Sequence, residues 1–190
     1  MEGENDIRLL QRAVKGDSQA FRALFDAHHA ALFRLAYRLT SAVDAAEDIT
    51  QECFLRLVDN SAFDHERASL RQYLYGTVKN LARQRWQANG REVPWDDEME
   101  QDAPTAAGSL PDAMISAEVS EVVQAALAEL PVLQREAIVL FEFEELSLEE
   151  AAAIVGADVG TVKSRLHRAR ERLRRSLAAY RMPAQKGARP

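Results

Sequence analysis

The sequence predicts an all-α protein with two small helical domains joined by a flexible acidic linker. Apolar residues recur at spacings of three and four along most of the chain, which is typical of helices with one buried face. The alternation of apolar and polar residues that marks a half-buried strand is not sustained anywhere. A proline-containing acidic segment interrupts the helical pattern near the middle of the chain, which favours two domains over one.

The first domain is assigned to residues 1–89, where the pattern predicts four helices. The first is short, with Ile7, Leu10 and Val14 on its apolar face. Lys15 to Ser18 supply a turn and a cap before the next helix. The other three are expected at about residues 19–39, 45–59 and 69–87. Four amphipathic helices are enough to enclose one small core.

The linker is assigned to residues 90–111. It contains Pro94, Pro104, Gly108 and Pro111, together with an acidic cluster over residues 96–102. Proline, glycine and like charges disfavour a packed helix and extend the chain. The segment is either a plain tether or an acidic linker that passes through a basic channel of a larger partner.

The second domain is assigned to residues 112–182, followed by a tail over residues 183–190. After two helices that end near residues 130 and 145, Ser147 and Glu150 form the pattern of a capping box. This box opens a short helix that Gly156 closes, and Asp158 can cap a longer helix from Val159 to Ala178. A short helix, a tight turn and a second helix make a helix-turn-helix.

The longer helix combines one apolar stripe with two cationic stripes. Val162, Leu166 and Ala169 belong to the apolar stripe, and the flanking stripes carry eight basic or histidine side chains with Glu171 as the one acidic interruption. Basic faces are often merely solvated, but the DNA major groove admits a helix and presents guanine acceptors to Arg and Lys. The turn before this helix favours DNA recognition over a solvated face.

Charge and composition exclude several classes of function. The 190-residue chain has a net charge of −6, yet residues 63–91 carry +4 and residues 151–182 carry +6, separated by −15 over residues 92–150. Phosphate binding depends on such local charge. The longest run without a polar side chain is seven residues, and about 20 are needed to cross a membrane. No signal peptide core is present, so a cytoplasmic protein without membrane insertion is expected.

The sequence provides no obvious centre for catalysis, metal or cofactor. Cys53 is the one cysteine, which excludes an internal disulfide and a cysteine-cluster metal site. His28 and His29 are adjacent on a helix, point about 100° apart and have no acidic or cysteine partner at ligand spacing, so an ordinary helix face is expected. No nucleophile–base constellation is apparent, and we expect neither an enzyme nor a bound metal or cofactor.

Several motifs resemble the extracytoplasmic-function (ECF, group 4) sigma factors of bacterial RNA polymerase. The string Gly160-Thr161-Val162-Lys163-Ser164-Arg165 followed by Arg168-Ala169-Arg170 resembles sigma region 4. Independently, Ala46 to Phe54 resembles the polymerase-binding helix of region 2, and Tyr73 to Leu81 resembles the segment that opens promoter DNA. Two motifs in the right order, separated by a linker, are more specific than either alone.

The resemblance implies roles for particular residues. Asp48, Gln51, Glu52 and Leu55 lie on one face of the third helix and would bind the clamp helices of core RNA polymerase. The upstream, minus-thirty-five element of promoter DNA would contact the second domain through Gly160, Thr161, Lys163, Ser164, Arg165, His167 and Arg168. The downstream, minus-ten element would be bound as a single strand by Arg67, Tyr73, Lys79, Asn80 and Arg83. A base flipped out of this element would be held by Asn80 and the loop from Phe63 to Ser69.

Two function classes remain to be distinguished at this point. The first is a dissociable sigma factor that recognises promoters, melts DNA and is held inactive by an anti-sigma factor, as factors of this family commonly are. The alternative is an autonomous helix-turn-helix regulator that acts without core polymerase, usually as a dimer on a palindrome. The alternative leaves the region 2 resemblance without a role, and no dimerisation helix is apparent.

Overall fold

The structure is a computed structural model that describes residues 2–59, 63–64, 68–88, 90 and 117–180. Every regular element within these ranges is helical, which confirms the all-α prediction. The linker lies outside the described residues apart from Gly90, and so do the start of the second domain at residue 112 and the tail. Across the described part of the chain, no helix has the length and apolar character needed to cross a membrane.

The described residues of the first domain form four helices that pack around buried apolar side chains. These helices are α1 (Glu2–Ala13), α2 (Ser18–Thr40), α3 (Val43–Asp59) and α4 (Leu70–Ala88). Ile49, Cys53 and Leu57 are all buried, as the spacing predicts for the core face of α3. The bounds of α2, α3 and α4 differ from the predicted ones by at most two residues at each end.

The end of α1 differs from the expectation. Val14 lies beyond the last residue of this helix and is exposed, so its assignment to the apolar face is wrong. Ala13 is buried beside Leu10 instead. The chain turns here because Asp17 caps α2: its Oδ1 accepts hydrogen bonds from the backbone N–H groups of Gln19 (3.0 Å) and Ala20 (3.1 Å).

Between residues 117 and 180, the described part of the second domain, the chain forms four α-helices and two shorter helical turns. The α-helices are α5 (Ala117–Glu129), α6 (Val132–Ile138), α7 (Leu148–Val155) and α8 (Val159–Ser176). A π-helical turn over Val139–Phe143 follows α6, and a 3₁₀ turn over Leu177–Tyr180 follows α8. The predicted end of the last helix at Ala178 therefore falls within a tightened final turn, which is common at helix ends.

The helix that the sequence predicts to end near residue 145 is α-helical only from Val132 to Ile138, so the prediction is wrong in its second half. The backbone N–H of Glu144 donates to the carbonyl of Val139 at 3.1 Å, a five-residue step that widens the helix into a π turn. Such widened turns occur mostly as single insertions within α-helices. The consequence here is that the Glu144 side chain lies against the first domain, where it contacts α2 and α4.

The two domains are packed together, a relationship that the sequence does not reveal. The last carbonyls of a helix have no partner within it, and the second domain supplies partners for those of α2. Arg135 Nη1 donates to the Leu39 carbonyl at 2.7 Å, and Gln124 Nε2 donates to the Tyr37 carbonyl at 3.1 Å. Gln124 also donates to Ser41 Oγ at 2.9 Å. Helix α4 in turn packs against α7.

Candidate nucleic-acid and polymerase interfaces

The helix-turn-helix forms as the local sequence predicts. Ser147 Oγ accepts from the backbone N–H of Glu150 (3.1 Å), and the Glu150 carboxylate accepts from the backbone N–H of Ser147 (2.9 Å). The two bonds complete the capping box of α7. Gly156 ends that helix with a φ of 71°, a conformation that glycine adopts without steric cost.

Asp158 fixes the start of α8. Its Oδ1 accepts from the Thr161 backbone N–H (2.8 Å) and its Oδ2 accepts from Thr161 Oγ1 (2.6 Å). These hydrogen bonds hold the pKa of the Asp158 carboxyl below its usual value. A side chain at Gly160 would place its Cβ 3.0 Å from Asp158 Oδ1, so the absence of one leaves room for the cap.

The outer face of α8 carries most of the predicted upstream-DNA residues. Gly160, Lys163 and Ser164 are exposed, whereas Thr161, His167 and Arg168 are half-buried. The opposite face is buried through Val162, Leu166, Ala169 and Leu173. The helix therefore presents a polar face that includes the cations Lys163 and Arg168, opposite a buried apolar face.

Arg165 differs from the other predicted DNA-contact residues of α8. It is only 6% exposed, because it lies three residues after Val162 and four before Ala169, within the arc that packs on the core. Its burial fits a positioning role better than direct contact with a base. Arg170, which lies further along α8, pairs with Glu142 of the π turn: its Nε is 2.9 Å from Glu142 Oε1.

The predicted single-strand residues of α4 fall into two environments. Asn80 is exposed, and the half-buried Tyr73 ring lies 5.3 Å from the Phe63 ring, between centroids. Lys79 and Arg83 instead face the second domain: Lys79 Nζ donates to the Ile154 carbonyl at 2.9 Å, and Arg83 makes a two-point ion pair with Glu136. Arg67 lies outside the described residues.

The pKa values of Lys79 and Arg83 shift in opposite directions. Lys79 is only 7% exposed, and this desolvation lowers its pKa. The hydrogen bonds that Arg83 donates to the Glu136 carboxylate raise the pKa of Arg83 and outweigh the effect of burial. Both cations are therefore tied to acceptors of the second domain in this arrangement.

The four predicted polymerase-binding residues share one exposed ridge on α3. Leu55 is 53% exposed, a rare exposure for a large apolar side chain among the described residues. Asp48 Oδ2 accepts from Arg85 Nη2 at 2.7 Å, and Glu52 Oε1 accepts from Arg56 Nε at 2.8 Å. Gln51 is exposed and completes the set.

This α3 ridge separates two grooves. On one side, a groove of about 580 Å³ between α3 and α4 is lined by all four ridge residues. On the other side, a more apolar groove of about 620 Å³ is lined by Gln51 and Leu55 of the ridge and by aromatic side chains of α2 and α3, namely Phe21, Phe25, His29, Phe33 and Phe54. A polar ridge with an apolar tip between two grooves is suited to docking against partner helices.

The two adjacent histidines have structural partners. His28 Nε2 lies 3.0 Å from Asp6 Oδ2, and the His29 ring is 4.5 Å from the Phe25 ring between centroids. Cys53 is buried, and desolvation raises the pKa of its thiol to about 12. Within the described ranges, no group of three His, Cys, Asp or Glu side chains is placed to hold a metal ion.

Sequence reasoning missed the residues that join the domains. Glu136 is fully buried and Glu144 nearly so, and both pair with side chains of the first domain. Gln124 and Arg135, which bond to the end of α2, were missed as well. One signal was available: Arg135 is the one basic residue within the strongly acidic stretch over residues 92–150.

Comparisons with known proteins agree with the two-domain arrangement. The family Sigma-70 region 2 matches residues 24–92, and Sigma-70, region 4 matches residues 120–173. ECF RNA polymerase sigma factor SigW of Bacillus subtilis (strain 168) is 36% identical over 177 residues, covering 88% of this chain and 94% of that protein. The ECF RNA polymerase sigma-E factor of Escherichia coli (strain K12) is 34% identical, covering 87% and 91%.

Two solved structures are similar over nearly their whole length. CnrH in complex with the cytosolic domain of CnrY has a TM-score of 0.66 and 26% identity, covering 92% of this chain and 98% of that one. The sigma factor RpoE in complex with the anti-sigma factor NepR from Bartonella quintana has a TM-score of 0.64 and 31% identity, covering 85% and 98%.

Both sigma regions occur in one chain and in the family's order, which an autonomous helix-turn-helix regulator does not explain. The chain belongs to the ECF RNA polymerase sigma factors, which are non-enzymatic transcription initiation factors that recognise promoters.

Proposed function

We propose that each of the three surfaces described above binds a different partner during promoter recognition. The α3 ridge binds core RNA polymerase, the α4 helix holds the downstream promoter element as a single strand, and the α8 helix reads the upstream element as a duplex. The observation that carries the proposal is the outer face of α8, where Lys163 and Ser164 are exposed above a fully packed stripe.

The α8 helix has the parts that a major-groove reader needs. Gly160 and Thr161 lie in the first turn of α8, and a helix N-terminus favours phosphate. The Thr161 backbone N–H already donates to Asp158, so a DNA phosphate would contact this turn beside the cap. Lys163, Ser164 and His167 follow on the exposed side and would reach base edges, because a major groove admits a helix of this length. Arg168 would add contacts to the DNA, and Arg165 would hold the helix in place.

The α4 helix supplies groups that bind single strands. Tyr73 offers a ring for stacking and Asn80 offers an amide for hydrogen bonds to a base edge. Lys79 and Arg83 provide positive charge for phosphates, as does Arg67 in the preceding segment. A base extruded from the duplex costs a few kcal/mol, which contacts of this kind offset.

The α3 ridge supplies the contact with polymerase. Asp48 and Glu52 form ion pairs that are open to solvent, and such pairs are worth about 1 kcal/mol or less, so a partner can replace them. Leu55 adds apolar area at one end of the ridge. This composition, with charge beside an apolar contact, is typical of a dissociable interface.

We also propose a regulator and a compartment. The similar sigma factor RpoE was solved bound to the anti-sigma factor NepR, and this chain is proposed to bind an anti-sigma factor as well. We propose that it acts in the bacterial cytoplasm, where core polymerase and the chromosome are found.

Reconstitution with core polymerase tests the division of work. Run-off transcription and permanganate mapping of unpaired thymines would be measured for the parent chain and for K163E and N80A. We expect K163E to lose promoter binding and N80A to bind but not open the DNA. Unchanged transcription with both variants would contradict the proposed surfaces.

A further inference from the structure

Gly76 lies in the interior of α4, where glycine is unfavourable for helix stability. Glycine loses more conformational freedom on folding than alanine, so it destabilises the interior of a helix. Helix α4 nevertheless continues through this position, from Leu70 to Ala88. The glycine is therefore not present to end or break the helix.

Four other glycines have a reason within the chain. Gly16, Gly90 and Gly156 have positive φ angles, a backbone conformation that favours glycine. A Cβ at Gly160 would lie 3.0 Å from the carboxylate that caps α8. The φ of Gly76 is not positive, and apart from its own helix backbone and its two chain neighbours, nothing in the described structure lies within 4 Å of the place of a Cβ. Neither backbone conformation nor packing within the described residues explains the missing side chain at Gly76.

The space beside Gly76 is a recess in the surface of α4. Gly76 is half-buried although the place of its Cβ is empty, so its backbone lies below the side chains around it. On a helix surface these belong to the residues three and four positions away, which are Gln72, Tyr73, Lys79 and Asn80. Gln72 and Lys79 donate to acceptors of the second domain. The recess therefore lies between Tyr73 and Asn80.

Tyr73 and Asn80 are the two residues proposed above to bind a base. They are seven positions apart, which is about two helical turns or about 10.5 Å along the axis. Because stacked bases are about 3.4 Å apart, this length accommodates one planar base between the ring and the amide. Gly76 lies near the middle of this length, and glycine is the residue that allows a ligand to approach a backbone closely. A side chain at position 76 would occupy the place of the base.

We propose that Gly76 forms the floor of a slot for one nucleotide base between Tyr73 and Asn80, and that its missing side chain is what admits an unpaired base of the downstream promoter element. This inference rests on the proposed function of α4. It deepens that function by naming the residue that sets how closely a base approaches the helix. Position 76 then trades helix stability for binding.

A base slot and a purely structural glycine predict different effects of larger side chains. Ala, Ser and Leu all have a higher helix propensity than Gly, and the space beside Gly76 accommodates a Cβ. G76A, G76S and G76L should therefore melt at or above the temperature of the parent chain. If Gly76 is the floor of the slot, the same variants should bind unpaired DNA more weakly as the side chain grows. A loss of binding without a loss of stability cannot result from misfolding.

The experiment uses the holoenzyme formed by the full-length chain and core RNA polymerase. The probe is a fluorescein-labelled single strand copied from the downstream element of a promoter that the parent holoenzyme transcribes, and fluorescence anisotropy measures its affinity. Further probes carry one abasic nucleotide at each position in turn. Q87A and Q87L are the matched controls, since Gln87 is an exposed residue of α4 eleven positions beyond Gly76. Melting temperature and co-elution with core enzyme are measured for every variant.

We expect G76L to weaken binding of the intact strand roughly tenfold to a hundredfold, the contribution of one stacked base, and G76A to weaken it less. On the strand whose abasic nucleotide falls in the slot, the parent should lose a similar factor and G76L should lose nothing further. Q87A and Q87L should bind every probe as the parent does.

Parent-like binding by a folded G76L holoenzyme would overturn the proposal. A G76L loss of equal size on every abasic strand would overturn it as well, because Gly76 would then act without contacting a base. If either result is found while Y73A and N80A still prevent opening of promoter DNA, the slot is wrong and the proposed function of α4 stands. If Y73A and N80A also open the DNA normally, the proposed function of α4 is wrong too.

Discussion

Arg83 and Glu136 form a two-point ion pair that joins the two domains, and the Glu136 side chain has no solvent exposure. The two residues are 53 positions apart in sequence, and each charge compensates the free-energy cost of burying the other. A buried pair contributes little net stability compared with apolar packing, but removing one partner leaves an uncompensated charge. The pair therefore specifies how the domains fit together.

A double-mutant cycle on this pair should be strongly non-additive. We expect R83Q or E136Q alone to lower the free energy of unfolding by up to about 3 kcal/mol, and the double variant to cost clearly less than the sum. The measurement is urea unfolding followed by far-ultraviolet circular dichroism. Additive effects would mean that the two side chains do not depend on each other.

Two glycines should respond to alanine in opposite directions. Gly76 lies in the interior of α4, and a Cβ added there would have no atom within 4 Å, so G76A should stabilise the chain by about 0.5–1 kcal/mol through helix propensity. Gly156 has equal space but a φ of 71°, so G156A should destabilise it by about 1–2 kcal/mol. Thermal unfolding measures both, and G156N should recover part of the loss. A loss of stability in G76A would contradict the account.

The Cys53 thiol should be unreactive in the folded chain. Burial raises its pKa from 9.0 to about 12, so the neutral thiol is favoured by folding. This contribution is fully present below pH 9 and is lost as pH rises from about 9 to about 12, because the unfolded thiol ionises first. We expect very slow labelling by a thiol reagent at pH 8, and fast labelling in urea. Rapid labelling of the folded chain would show that α3 opens locally.

The capping box should support the helix-turn-helix. S147A removes the acceptor for the Glu150 N–H and should cost about 1 kcal/mol, which lowers the melting temperature of a domain of this size by roughly 4–8 °C. S147D keeps an acceptor at the same position and should retain most of the stability. Equal melting temperatures for S147A and the parent would contradict the role of the cap.

The helix-turn-helix could be predicted from sequence because its signals are local. Ser147, Glu150, Gly156 and Asp158 each act on groups within three or four residues, and the structure has all of these caps. The buried face of α3 was predictable for the same reason, since Ile49 and its neighbours follow the helical period.

The domain interface could not be predicted, because its partners are far apart in sequence. Nothing near Glu144 indicates that a π turn directs it towards α2 and α4. The burial of Arg165 could not be predicted either. Its place in a cationic stripe suggests exposure, but the buried face of α8 is wider than the apolar stripe and includes this residue. Whether a second helix buries a given side chain depends on tertiary packing, and the local periodicity of the sequence does not encode that packing.

Binding to core RNA polymerase tests the central claim most directly. The double variant D48K/E52K reverses two exposed carboxylates on the α3 ridge, and D26K is the matched control because Asp26 is also exposed and ion-paired, with Arg22 at 3.8 Å. Co-elution with core enzyme and chain-dependent run-off transcription are measured for each. We predict that the parent and D26K bind and initiate, and that D48K/E52K does neither while remaining folded. Full binding by D48K/E52K, or no complex with the parent chain, would contradict the account.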